Sequence, residues 1–333
     1  MKTILKAYNT LLLIGSLAIS TTAIAGDEPK IDKKKTYSKS YDVNANDKIS
    51  FTNQFGELKL NTWNKNEVKV DITITAKANT DERAQQILDG ISIEDGKSSS
   101  GVYFKTKMNN KNNTHNKNDK EKYRNEGFSI NYIVYLPAGN PLYANNSFGE
   151  TTIPDYRGEA EIISKFGGLE VGNLANAKAV TIEFGKANIE SMNGGKLTVK
   201  FSKAIVNKLT GDINANFEHS GGIKLGIDNN IKGLTVSNNF STLYLDVNKN
   251  LSADFDIRTH FGDVSNKTEF PIKKEEEDEN RRGPQFDHRY TGKSGGGNVT
   301  MKIRSEFGKI IVGHNLTMSL ADEKKEKKPV RSI

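Results

Sequence analysis

The sequence predicts an all-β fold: a single-stranded parallel β-helix (β-solenoid) of about 17–21 residues per coil, with an N-terminal β-rich cap that contains one short helix. Three observations predict it. A phenylalanine followed by glycine or a small residue recurs along the chain, in "TNQFGELKL", "NNSFGETTI", "IISKFGGLEV", "TIEFGKANI", "TVKFSKAIV", "SNNFSTLYL", "RTHFGDVSN" and "RSEFGKIIV". Apolar residues alternate on both sides of that word, as they do on half-buried strands. Between successive words from Phe148 onward, no stretch carries a helical period.

The recurring aromatics are Phe148, Phe166, Phe184, Phe201, Phe240 and Phe261, with Ser220 of "EHSGGIKL" standing at the vacant place. A near-constant period of this size suits a solenoid whose coils lay each strand on that of the coil before. Parallel stacking separates equivalent residues by roughly 4.8 Å, so the phenylalanines are expected to form an internal ladder. Counting back from each Phe, the fourth residue is apolar in Ile162, Val180, Leu197, Val236, Ile257 and Ile303. Counting forward, the third and fifth are apolar, as in Leu169 and Val171 or Ala204 and Val206. Inside and outside therefore exchange at the corner. A continuous strand has period 2 and cannot do this, so the expected corner has Phe filling the core and Gly bending the chain at positive φ. A single coil orders more chain than its few buried side chains offset, so coils must stack and both ends need caps.

The chain opens with Lys2 and Lys6, an apolar run from Leu11 to Ile19 and then Ala23-Ile24-Ala25, which reads as a signal peptide over residues 1–25. Residues 26–140 read as the cap. They hold a first corner at Phe55, the strand "EVKVDITITAKA", a helix in "DERAQQILD", and the strands "GVYFKTKM" and "FSINYIVYLPAG". The polar run near 109–126 has little to bury and reads as a disordered hairpin loop. Residues 141–320 read as solenoid coils, interrupted by a flexible insertion near 272–297, and 321–333 as a charged tail.

Removing residues 1–25 takes two lysines from 48 basic residues and nothing from 41 acidic ones, which leaves a net charge of about +5. That excess is dispersed and argues for solubility, against a nucleic-acid partner. No segment approaches the roughly 20 apolar residues of a transmembrane helix. The chain has no cysteine, which excludes disulfides and lipid attachment through a thiol.

The recurrent "N/S-x-F-G-x-[LIV]" corner resembles a known family. The same is true of "FGELKLNTWNKNEVKVDITITAKA" before a short helix, of "YIVYLPAG" leading into "NNSFGETTI", and of the late "GGGNVTMKIRSEFGKIIVG". These features are similar to the bacterial "putative adhesin" β-solenoid domains, related to the auto-transporter adhesin head GIN domain group, a domain of unknown function. The resemblance covers most of the chain beyond residue 25. It implies the solenoid fold and an adhesive role, and supplies no catalytic residues.

Candidate chemistry is sparse. His115, His219, His260, His288 and His314 are scattered. His219 and His260 are expected to point outward two coils apart, roughly 10 Å by strand spacing, too far for ligands about 2.1 Å from one zinc. A glycan-cleaving site needs paired carboxylates about 5–10 Å apart, and Asp263 has Gly222 and Thr242 at equivalent upstream positions. The acidic run from Glu275 to Glu279 leads directly to Arg281 and Arg282, as a solvated loop does. Trp63 reads as a cap residue packed over the first coil.

The outward column four residues past each corner is more suggestive: Glu170, Asn188, Ile205, Lys224, Tyr244 and Ile311, with Lys186, Lys203 and Thr242 alongside. Lys186, Lys203, Lys224 and Tyr244 are the candidate partner-binding residues. The expected protein is exported, periplasmic or at the cell surface. It acts as a non-catalytic binding or adhesion scaffold for a protein or glycan surface of the envelope or extracellular matrix, with no cofactor, no metal and no nucleic acid. A periplasmic regulatory module serving an envelope-stress partner is the alternative, and a carbohydrate-active β-helix enzyme the third class.

Overall fold

The computed structural model describes residues 31–109, 126–276 and 285–321. The signal-peptide segment, most of the polar run near 109–126, residues 277–284 and residues 322–333 lie outside the described residues. By packing, the chain falls into two compact units, residues 1–181 and 182–333.

The first unit begins with β1 (Ile31–Asp42), β2 (Lys48–Gln54), β3 (Leu58–Trp63) and β4 (Glu67–Ala78). Helix α1 (Asp81–Asp89) follows because Thr80 caps it, its hydroxyl accepting the Arg83 N–H, and because Ala84 and Leu88 bury one stripe four residues apart. Then come β5 (Ile91–Ser98), β6 (Gly101–Met108), β7 (Gly127–Pro137), β8 (Leu142–Ser147), β9 (Thr151–Ile153), β10 (Tyr156–Lys165) and β11 (Gly168–Glu183). The Phe55 and Phe148 coils are direct neighbours despite their separation in sequence. β2 pairs in parallel with β8 (Ile49 with Leu142, Phe51 with Ala144), and β3 pairs with β9. The intervening segment caps them. β6 extends β2 and β7 extends β3 in parallel, while antiparallel β5, β4 and β1 complete the end. Trp63 is half-buried there, stacked on Tyr135 at 5.4 Å and donating to the Glu67 carbonyl.

The second unit contains β12 (Lys186–Lys200), β13 (Lys203–Glu218), β14 (Gly222–Asn239), β15 (Thr242–Val247), β16 (Ala253–His260), β17 (Asp263–Asn266), β18 (Lys273–Lys274), β19 (Asp287–Ser294), β20 (Val299–Glu306) and β21 (Lys309–Gly313). β12, β13 and β14 stack in chain order. The sequence does not, however, dictate the next step. β20 pairs with β14 on one side and β16 on the other, and β21 lies likewise between β15 and β17. The last coil is thus inserted between the Phe240 and Phe261 coils, gaining ladder hydrogen bonds on both edges. The flexible insertion expected near 272–297 is also in part ordered. β19 runs antiparallel along the outer edge of β16 and β18 pairs with β19, which covers an edge that would otherwise invite strand pairing.

The apolar positions read from the sequence are buried: Ile162, Val180, Leu197, Ile257 and Ile303 before the corner, and Leu169, Ala187, Ala204, Leu243 and Ile310 after it. The corner itself differs from expectation. Phe148, Phe166, Phe184, Phe201, Phe240, Phe261 and Phe307 are 45–50% exposed. They are not an internal ladder. Each also carries the positive φ, between 49° and 59°, in the left-handed region. The phenylalanine makes the turn, flipping its own side chain outward, and the next residue already lies on the far side.

The glycine has another purpose. A Cβ on Gly149 would fall 2.0 Å from the Gly56 carbonyl oxygen, and one on Gly167 2.0 Å from that of Gly149. Close stacking of corner on corner, not torsion, demands glycine there. Where serine replaces it, the hydroxyl rebuilds the column. Gly185, Ser202 and Ser220 donate their N–H groups to the hydroxyls of Ser202, Ser220 and Ser241, at 3.0, 3.4 and 2.9 Å. Each hydroxyl in turn donates to the carbonyl two residues back.

Candidate binding surface of the second unit

Turning on the aromatic residue strings the rings along one corner. In the second unit Phe184 stacks on Phe201 at 4.8 Å, and Phe201 on His219 at 5.2 Å. His219 stacks on Phe240 at 4.7 Å, and Phe240 and Phe261 each on Phe307 at 4.9 Å, with all these planes within 7° of parallel. Phe286 closes the file against Phe261 at 4.2 Å. In the first unit Phe55, Phe148 and Phe166 stack in the same way.

His219, not Ser220, occupies the aromatic column, with φ 48°. Ser220 is buried in the serine column, and one extra residue, Gly221, restores the register so that Gly222 pairs with Lys203. That extra residue is why counting back from the strand lands on Ser220. Each interior ring has both faces covered, so solvent meets ring edges. The file is an apolar ridge, not a series of open platforms on which sugars could stack.

An open groove of about 640 Å³ runs beside the ridge. Phe240, Phe307 and Phe261 form one side, and Thr242, Lys309 and Asp263 the other. These last three are register neighbours, so the residue adjacent to Asp263 is Lys309, with Thr242 beyond it.

The outer face past the corner carries the candidate lysines and tyrosine. Lys186 pairs in register with Lys203, and Lys203 with Gly222. The next outward row is Asn188, Ile205, Lys224, Tyr244, Ile311 and Ser265. Glu170, in the first unit, pairs with Thr152. Lys224 is engaged with Asp246 at 3.0 Å, and both are largely buried. The Lys203 ammonium donates to the Ala321 carbonyl at 3.0 Å.

That last contact belongs to a segment, residues 314–321, that carries no corner motif. Asn315 adopts φ 53°, and the chain then folds back across the outer face. The His314 ring donates through Nδ1 to the Val247 carbonyl at 2.7 Å, and the Leu316 N–H donates to the Asp246 carboxylate at 3.0 Å. Met318 lies in the notch left by Gly222, where an added Cβ would meet its sulfur at 3.0 Å and the Tyr244 ring at 3.7 Å. Burial alternates, with His314, Leu316, Met318 and Leu320 half-buried and Asn315, Thr317 and Ser319 exposed. The alternation of Leu316, Met318 and Leu320 was the available signal.

On the opposite side of the corner, the Asn216 amide and then Lys200 hold the Glu218 carboxyl below its ordinary pKa. A hydrogen bond from Arg289 at 2.9 Å chiefly does the same for Asp256. His260 faces Asp287 at 2.7 Å, and His314 Nε2 lies 3.5 Å from Glu269. Among the described residues, no group of three His, Asp or Glu side chains is gathered to hold a metal ion, and no helix is long and apolar enough to cross a membrane.

These features define an all-β, solenoid-like protein whose second unit presents an aromatic ridge, a shallow groove and a strapped outer face. No family model and no curated protein matches the chain. Among solved structures, it is similar to a "putative cell adhesion protein" from Clostridium sporogenes ATCC 15579, at 13% identity and TM-score 0.22, over 85% of this chain and 100% of that one. It is also similar to a "putative adhesin" from Bacteroides fragilis NCTC 9343, at 11% identity and TM-score 0.27, over 84% and 97% of the two chains.

Proposed function

We propose that the protein is an exported, non-catalytic binding or adhesion scaffold, periplasmic or at the cell surface, which contacts a protein or glycan surface of the envelope or extracellular matrix. The observation that carries this reading is the repeated, half-exposed aromatic ridge of the second unit. Six phenylalanines at about half exposure offer on the order of 500–600 Å² of contiguous apolar surface, the size at which patches on monomers are often functional. The lysines at 186 and 203 stand two residues past their rings, so the ridge is bordered by positive charge. Stacking multiplies like groups in columns, whereas catalysis needs a few unlike groups converging on one point.

The test is immobilised binding of the purified protein to cells, matrix proteins and anionic polysaccharides at rising salt. Binding is expected to be weak and salt-sensitive, because lysine charges act over a screening length of about 8 Å. It should fall when Lys186, Lys203 and Lys224 are changed together to Ala, and with Tyr244→Ala. Saturable turnover of a glycan would overturn the reading, and binding indifferent to both variants would remove this face from it.

A further inference from the structure

We propose that the outer face formed by β13, β14, β15 and β21 is a docking site for an extended peptide, and that residues 314–321 are its resident occupant. The segment crosses the strands instead of extending the sheet, so it gains no continuous ladder. It is held at discrete points: a ring nitrogen on the Val247 carbonyl, a backbone N–H on Asp246, a thioether in the Gly222 notch and a carbonyl on Lys203. The notch exists because residue 222 is glycine between Lys203 and Thr242 in the stack. Ile311 points to this outer surface by its register with Tyr244, yet is only 8% exposed.

Such a site recognises alternation: an apolar residue at every second position, with backbone groups that meet one carboxylate and one ammonium. A partner segment of the same pattern competes for it, so partner recognition by Lys203, Lys224 and Tyr244 requires the strap to leave. The inference rests on the scaffold reading for the purpose of the face, and adds how access to it is controlled.

The experiment uses the full chain and, as probe, a fluorescein-labelled synthetic peptide of residues 314–321, read by fluorescence anisotropy. In the wild type the tethered strap competes at an effective concentration on the order of millimolar, so the peptide binds poorly. In the double variant Leu316→Asp, Met318→Asp the strap is displaced, and the peptide should bind at least tenfold more tightly. Equal binding to both proteins overturns the proposal. A second variant guards against misfolding. Because the chain has no cysteine, Gly222→Cys with Met318→Cys should form one disulfide under mild oxidation and abolish residual peptide binding until reduced. Failure of that disulfide to form in a folded chain also overturns it. If the peptide behaves as stated while the lysine and tyrosine variants leave surface binding unchanged, this face drops out of the scaffold reading and the docking site stands.

Discussion

Replacing Phe201 separates the outward ridge from a buried ladder. Phe201 is 49% exposed, holds φ 50° and stacks on Phe184 and His219. Changing it to Ala removes two stacking contacts of about 0.5–1.5 kcal/mol each and keeps the left-handed conformation, which costs a non-glycine residue about 1–2 kcal/mol. The expected loss is about 1–3 kcal/mol. Phe201→Gly removes the same contacts but relieves the strain, against about 0.5–1 kcal/mol of added backbone entropy in the unfolded chain. It should therefore be more stable than Phe201→Ala by about 0.5–1 kcal/mol. Phe217, fully buried two residues before the neighbouring corner, supplies the contrast: Phe217→Ala should cost about 3–5 kcal/mol. The assay is urea denaturation followed by circular dichroism. The outward, left-handed placement of the ring is wrong if Phe201→Ala costs as much as Phe217→Ala, or if Phe201→Gly is clearly the weaker of the two substitutions at position 201.

Two further outcomes follow from the first unit. Gly149→Ala puts a methyl group 2.0 Å from the Gly56 carbonyl oxygen and should lose more than about 3 kcal/mol, whereas Gly139→Ala has nothing within 4 Å and should be neutral or gain up to about 1 kcal/mol; matched thermal melts decide this. Alkaline titration should destabilise the same unit, because burial raises the pKa of Tyr37, Tyr41, Tyr132 and Tyr156, with Tyr132 pushed up to about 12, and Asp95 accepts hydrogen bonds from the hydroxyls of Tyr37 and Tyr41. The folded chain keeps these phenols neutral while the unfolded chain ionises near pH 10, so stability is intact below that value and falls as pH rises through 10 towards 12. A chain equally stable at pH 9 and pH 11.5 would contradict this.

The strands were legible because period 2 survives on each side of the corner: residues such as Leu197 and Ala204 declare their burial without help from structure. The direction of Phe was not legible from parity alone. A flip at the aromatic and a flip at the glycine leave the flanking pattern identical, and glycine is the more usual host of positive φ. Three residues held the answer. Ser202 and Ser241 show that the place after the ring does not require glycine's freedom of torsion, and His219 is an awkward occupant of an apolar interior but an ordinary one on an exposed stack. The order of coils was hidden for a different reason. The Phe307 strand presents the same alternation as its neighbours, so nothing in its side chains says that it enters between β14 and β16. The columns of Lys186 with Lys203 and Lys224 with Tyr244 were visible in the repeat spacing. That Asp246 and Ala321 engage two of those lysines depends on contacts between distant parts of the chain, to which a local period is blind.

The claim that the coils turn on outward-facing rings is tested most directly by hydroxyl-radical footprinting of the intact protein, with oxidation quantified at each phenylalanine by mass spectrometry. Ready modification is expected at Phe184, Phe201, Phe240 and Phe307 and strong protection at Phe51, Phe104, Phe217 and Phe255, in line with their exposure. Equal protection of both groups would return the rings to the interior and contradict the corner, the ridge and the binding surface built on them.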